Sequence, residues 1–268
     1  MTRRTRFRTL LWVWIAAIAV LPVQRMAVGQ SPEWIPTAGT HAWSRFGPRA
    51  WKEVRVRTYT VDPNGQVLRS STTIARTRVT RVERQSFSLC VSSTVEVAGR
   101  EIYTGPQTLT REVAPQVDST ESVGTDKVLI DGQEYGAEVI RFVTTSGTQS
   151  DENTIYFCRD ATPHLLRRVT TSVDATHPDE RMETTVTVTE LNKMADILGE
   201  TKRTWSTTTV VRRHDKTVTT REVNCADVPG ELVSQITEEH DAKGVLVSRE
   251  ELELIGYGVG RPRRLRWR

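Results

Sequence analysis

Cys158 and His164 lie six residues apart, the closest that any thiol and imidazole come in this chain. A thiolate activated by an imidazole is a nucleophile, and such a pair needs an acid to orient the base. Pro163 sits between the two residues, and no acidic motif marks a third partner. The reading is a packed strand cysteine, not a catalytic pair. No G-x-S-x-G elbow is present for a serine nucleophile. An envelope hydrolase would require either that Cys–His contact or two carboxylates converging in one cleft. No Asp or Glu stands out from the ordinary charges on the wet faces of strands.

Metal chemistry needs ligands in clusters. His41, His164, His177, His214 and His240 each stand singly in polar surroundings. Glu238, Glu239, His240 and Asp241 form a small run, but it lacks the alternating oxygen spacing of a calcium loop and reads as a solvated hairpin tip. Gly256, Gly258 and Gly260 make a glycine-rich stretch that closes a strand instead of opening a helix. It therefore has no helix N-terminus to hold phosphate and reads as a flexible exit from the sheet. No cofactor, metal site or catalytic residue is expected. The one exposed feature suited to a partner is the tail 261–268, where Arg261, Arg263, Arg264, Arg266 and Arg268 flank Trp267. Five guanidinium groups could meet an anionic surface peripherally.

The start of the chain gives an address. Arg3, Arg4, Arg6 and Arg8 precede an apolar run from Leu10 to Leu21, and Ala27-Val28-Gly29 places small residues where a signal peptidase reads. This is the pattern of a secretory signal peptide over residues 1–29, with cleavage between Gly29 and Gln30. The apolar run is well short of the ~20 residues of a membrane-spanning helix. An exported mature chain, periplasmic or secreted, is expected. The full sequence has 37 Lys and Arg against 33 Asp and Glu, a net of +4. Residues 1–29 hold five arginines and no acid, so the mature chain has 32 basic and 33 acidic residues, a net of −1. Without the tail the body has 27 against 33, a net of −6. That balance argues against a nucleic-acid-binding face.

The elements that would position any site are strands. Residues 30–50 are rich in Pro, Gly, Trp and small polar residues and read as an irregular lead-in. From Trp51 to Gly260, threonine and valine alternate with charges, as at Val54-Arg-Val56, Thr185-Val-Thr-Val188 and Leu252-Glu-Leu254. Period two with β-branched residues describes a strand with one buried and one wet face. Asp62-Pro-Asn-Gly65 and Asp241-Ala-Lys-Gly244 separate such runs and read as hairpin turns, and Asp131-Gly132 reads as a third. Residues 114–126 are polar and read as a long loop or lobe boundary. Leu191 to Leu198 is the best candidate for a helical turn, with a connecting loop as the alternative. The fold class is all-β: one large curved antiparallel sheet or half-barrel over 51–260, with few or no helices.

An internal repeat is visible. Cys158 to Leu166 and Cys225 to Val233 align at one offset, each with a proline in the turn and an apolar pair before a hairpin. Trp51 to Val79 repeats the hairpin without the cysteine prelude. Equivalent positions in adjacent units of an open sheet lie about 15 Å apart at ~4.8 Å per strand, too far for a Cys158–Cys225 disulfide, which only a closed barrel would allow. Cys90, Cys158 and Cys225 are expected to be buried, inert thiols.

Trp43 to Trp51, the two Asp-x-x-Gly hairpins, Gly132-Gln-Glu-Tyr135 and Val228-Pro-Gly230 together resemble a group of uncharacterised bacterial secreted proteins. Their architecture is similar to the open curved sheet of periplasmic lipoprotein carriers of the Lol type. The resemblance implies a sheet whose apolar cavity is plugged by helices, and it assigns no functional residue. Two functional expectations follow. One is a non-enzymatic binding protein holding a lipid or other hydrophobic ligand in a cavity free of charged groups. The other is an envelope interaction module that meets protein partners through sheet edges or the arginine tail.

Overall fold

The computed structural model describes residues 41–112 and 119–260. The signal segment 1–29, the first part of the lead-in and the five tail arginines, Arg261, Arg263, Arg264, Arg266 and Arg268, lie outside the described residues. Within them the chain is all-β. The first half supplies β1 (Trp51–Val61), β2 (Val67–Val82), β3 (Ser86–Val97), β4 (Arg100–Glu112), β5 (Ser119–Ile130) and β6 (Gln133–Ser146). The second supplies β7 (Gln149–Phe157), β8 (Leu165–Asp174), β9 (His177–Ile197), β10 (Glu200–Arg212), β11 (Lys216–Asn224), β12 (Leu232–Asp241) and β13 (Leu246–Gly258). All thirteen lie in one antiparallel sheet, ordered β4-β3-β2-β1-β13-β12-β11-β10-β9-β8-β7-β6-β5. Every neighbour is a hairpin partner except β1 and β13, and β4 and β5 form the two open edges.

One layer of sheet can bury a face only by curling over it. Two contacts show the curl. β5 touches β9 although three strands separate them, and Lys193 of β9 pairs with Asp131 at the β5–β6 turn at 2.7 Å. Ile197, at the tip of the β9–β10 hairpin, packs with Val54, Val56, Leu252 and Leu254 of β1 and β13.

The alternation in the sequence sorts the faces as period two requires. Val54, Val56, Ala75, Leu252 and Leu254 point inward, while Arg55, Arg57, Glu251 and Glu253 between them point outward. The outer face carries cross-strand ion pairs, including Arg57–Glu253 at 3.6 Å and Arg221–Glu238 at 3.0 Å. These lie on the solvent-facing side with at least one partner exposed, and such pairs contribute about 1 kcal/mol or less each. The stabilising weight lies inside, where each buried valine or leucine contributes roughly 1.5–3 kcal/mol. One inner cluster joins Val128, Leu166, Val188 and Trp205, another is the Ile197 group, and a third gathers Trp43, Ala50, Val79 and Phe87 under the lead-in.

The aspartate turns are built alike. Asp62 Oδ1 accepts from the N–H groups of Asn64 and Gln66 at 2.9 and 2.8 Å, and Asp241 Oδ1 from Lys243 and Val245, both at 2.9 Å. Gly65 and Gly244 close them at φ +82° and +79°. The two loops after β7 and β11 also share a closing bond: the Cys158 N–H donates to the His164 carbonyl and the Cys225 N–H to the Glu231 carbonyl, both at 2.8 Å.

Ser119 to Asp126 belongs to β5, so the polar stretch 114–126 is not all loop. As an edge strand exposed along most of its length, β5 needs few apolar residues to form. Leu191 to Ile197 is strand, not helix. A bulge with Asn192 at φ +56° shifts the register against β10, resets which side chains face inward, and so imitates helical spacing. Cys90 is half-buried, whereas Cys158 and Cys225 are buried in separate clusters; all three thiols are free. No helix occurs among the described residues. There the described part of the lead-in, residues 41–50, and the Cys225–Glu231 loop pack into the curl.

Gly230 marks this packing. Its φ is +73°, and a Cβ there would overlap the Trp43 indole. Gly230→Ala should lower stability by about 3 kcal/mol or more, combining left-handed strain with overpacking. Gly244→Ala, at φ +79° with open space around it, should cost only about 1–2 kcal/mol. Urea unfolding of the two variants measures the difference.

Candidate ligand cleft and the buried charges beside it

Trp51 opens β1 and lies across two glycines of β13. A Cβ on Gly258 would come within 2.6 Å of the indole and one on Gly256 within 3.3 Å. Of the glycines read as a flexible exit, Gly256 and Gly258 are therefore strand positions whose bare backbone seats an aromatic ring, while Gly260 lies beyond the strand. Arg76 of β2 stacks on the same ring at 4.2 Å. Around this platform the β9–β10 tip, the Cys225–Glu231 loop and the lead-in leave a cleft of about 800 Å³. Phe46, Trp51, Ile197, Leu198, Tyr257 and Val259 give it apolar and aromatic walls, and Leu198 and Val259 are 52% and 49% exposed.

The cleft is not free of charge. Arg45, Glu200, Lys202 and Asp227 also line it. Lys202 pairs with Glu200 at 2.8 Å and Asp227 at 3.5 Å. The hydrogen bond to Glu200 is the main reason its amine is held above the usual lysine range. Arg45 donates to the Ala226 carbonyl at 3.0 Å and pairs with Glu231. A wholly apolar pocket thus gives way to an amphipathic one, with paired charges at one side of a greasy wall.

Arg45 leads to a second group of charges. Lys52, next to Trp51, faces inward, its amine 5.5 Å from the centre of the Trp43 ring and 3.5 Å from the Leu232 carbonyl. Burial lowers its pKa to about 8, against the opposing pull of Glu222 and Glu231. Those carboxyls are themselves raised, chiefly by burial. Thr207 donates to Glu222 at 2.9 Å. His41 packs edge-on against Phe87, with ring centres 4.8 Å apart, and its Nδ1 accepts from the Trp43 N–H at 3.3 Å. Burial, then the charges of Arg111 and Lys52, lower its pKa to about 4. Together these groups seat the lead-in: Arg49 and Ala50 exchange backbone bonds with Val79 at 2.9 and 2.8 Å.

The residues weighed for chemistry lie elsewhere. His164 directs Nδ1 to the Cys158 carbonyl at 3.3 Å and its ring to Phe157, so its contacts are structural. Asp241 is a turn cap, and Glu238 is an ion-pair partner of Arg221 and Arg249. No group of three or more His, Cys, Asp or Glu among the described residues is placed to hold a metal. Sequence reasoning missed Lys52 and Glu222 because each sits in a charge-rich run where only strand pairing shows which charge turns inward. The signal that could have found the cleft is the pairing of Trp51 with glycines at alternate positions of a distant strand.

No protein-family model matches the chain, and no curated protein does. Among solved structures it is similar to a protein from Bacteroides fragilis NCTC 9343, described as exported with a YmcC-like fold. The identity is 12%, 80% of this chain and 99% of that one are covered, and the TM-score is 0.32. It is also similar to a protein described as a lipoprotein from Parabacteroides distasonis ATCC 8503, at 12% identity, 82% and 99% coverage and TM-score 0.33. At these TM-scores the likenesses carry no argument about what this chain does.

The buried charges predict a pH profile. His41 has a folded pKa below its unfolded value, so the unfolded chain binds more protons and stability falls as pH drops from about 6.5 to 4. Lys52 has the same sign at higher pH: stability rises as pH climbs from about 8 to 10.5. Urea midpoints across pH should show both limbs. His41→Gln should flatten the acid limb, and Lys52→Met should flatten the alkaline limb while raising the midpoint at pH 7.

Proposed function

We propose that the mature chain is an exported, non-enzymatic binding protein whose cleft holds an amphiphilic ligand, an acyl chain or lipid with a polar head. The amphipathic cleft carries this reading. Its size lies in the range of small-ligand sites, and Leu198 and Val259 leave part of its apolar wall open to solvent. Phe46, Ile197, Leu198 and Val259 would take the hydrocarbon, with Trp51 and Tyr257 at its side. Lys202 and Arg45, already paired to acids, would exchange part of that pairing for a head group. Export rests on the signal pattern of residues 1–29, and the Cys158 and Cys225 loops, closed alike, support the reading of a repeated structural unit.

Leu198 tests the site without threatening the fold. It is a turn residue at φ +53°, a conformation that Asp accepts better than Leu. Leu198→Asp should therefore leave the melting temperature unchanged or higher. It should weaken displacement of a fluorescent fatty-acid probe by palmitate or lysophosphatidylcholine at least tenfold, since a carboxylate would be placed on the apolar wall. Unchanged displacement by both ligands would contradict the cleft as the site.

A second reading is an envelope interaction module. The open edges favour it: β4 exposes Ile102 and Tyr103 at 42% and 67%, and β5 exposes Val123 and Leu129 at 50% and 66%. Under this reading the tail arginines add peripheral attraction to anionic lipid. Deleting 261–268 should then reduce sedimentation with phosphatidylglycerol vesicles and leave phosphatidylcholine vesicles unaffected; equal sedimentation of both forms would remove the tail from the account.

A further inference from the structure

Arg168 lies on the inner face of β8, away from the residues that line the cleft. Register places Ile155 of β7 on one side of it and Val186 of β9 on the other, with Ile140 of β6 beyond Ile155. Leu166, two residues earlier on the same strand, is fully buried. The side chain is half-buried, and its Nε is buried without a hydrogen-bond partner. No ion pair within 4 Å engages Arg168 among the described residues. The facing carboxylate, Asp151, stands four residues along β7 from Ile155, opposite Ser172, and accepts from Gln149 at 2.9 Å. Other polar neighbours on this face are spoken for: Thr170 donates to Asn153 Oδ1 at 2.8 Å, and Asn153 donates to the Asp151 carbonyl at 3.2 Å.

A guanidinium does not escape burial by losing its proton. Leaving one buried and unpaired costs stability, and outward-facing arginines on this sheet do find carboxylates. The inner face thus holds a cation set among Ile155, Val186 and Leu166 with one N–H unspent. We infer that Arg168 is an oxyanion anchor, receiving the carboxylate or phosphate group of a ligand that enters the curl. Planar pairing through Nε and one Nη suits both groups. The site is independent of the cleft and does not need the proposed function to hold.

The test is calorimetric titration and thermal shift of the full mature protein at low ionic strength, with four probes: inorganic phosphate, decyl phosphate, decanoate and decanol. Wild type should be stabilised by oxyanions and not by decanol. Arg168→Gln should weaken that binding at least tenfold, with Arg168→Lys intermediate. Binding of inorganic phosphate that depends on Arg168 assigns a free-anion site, and binding of the alkyl forms alone assigns a head-group site. Arg168→Met should also melt at or above wild type without ligand, because a half-buried charge whose buried Nε lacks a partner is removed. Oxyanion binding that survives Arg168→Gln but is lost in Leu198→Asp belongs to the cleft and overturns the inference, as does a lower melting temperature of Arg168→Met with no oxyanion effect in wild type.

Discussion

Six residues, 113–118, join the two opposite edges of a thirteen-stranded sheet. Fully extended, that link reaches about 25 Å from the end of β4 to the start of β5. Laid flat, the same edges would stand about 58 Å apart at ~4.8 Å per strand. The chain therefore cannot be flat. A short crossover, set within a run of hairpins, bends the whole sheet until its ends approach, and the β5–β9 contact and the Lys193–Asp131 pair follow from that bend. The curvature in turn gives the sheet an inside, where alternate valines and leucines can leave water without a second layer.

An inside formed this way must be filled or hold something. At one end it is filled by the chain itself: Trp43 against Gly230, Ala50 against Val79, and Ile197 across to β1 and β13. Filling is incomplete where these pieces meet, and the cleft is the remainder. Charges drawn inward with the strands set the electrostatic character of the region. Lys52, Glu222 and Glu231 are each disfavoured in their charged forms by burial, yet Lys52 moderates both carboxyls and they moderate it. The lead-in is held by packing and by this balance together. The cleft lining and the buried charge group consequently share Arg45, which lines the cleft and also pairs with Glu231.

Much of the fold was legible in the sequence because period two is a local signal. Val54-Arg-Val56 and Leu252-Glu-Leu254 mark their faces without help from neighbours, and Asp62 and Asp241 mark their turns. What misled was also local. Ser119 to Asp126 has Val123 as its one apolar residue since an edge strand can be wet on both faces, and Leu191 to Ile197 mimics a helix because a bulge changes parity. The candidate site was hardly legible. It depends on which of two adjacent residues turns inward and on which distant strand lies opposite, and neither Lys52 nor the seating of Trp51 on Gly256 and Gly258 carries a local mark. Arg168 was invisible for the same reason: nothing in Arg167-Arg168 tells one guanidinium from the other, while pairing sends Arg167 outward, toward the Tyr156 ring at 5.4 Å, and Arg168 inward.

The cleft and the inward setting of Arg168 depend on the curl, which zero-length carbodiimide cross-linking followed by peptide mass spectrometry tests most directly. Lys193 and Asp131 are both exposed enough to react and stand 2.7 Å apart, yet their strands would be about 19 Å apart in a flat sheet. Lys127 and Glu134, paired within the β5–β6 hairpin at 2.5 Å, supply the internal control. A Lys193–Asp131 amide formed alongside the Lys127–Glu134 amide is the expected result. The hairpin amide without the Lys193–Asp131 amide would contradict the curled sheet, and with it both the cleft and the inward setting of Arg168.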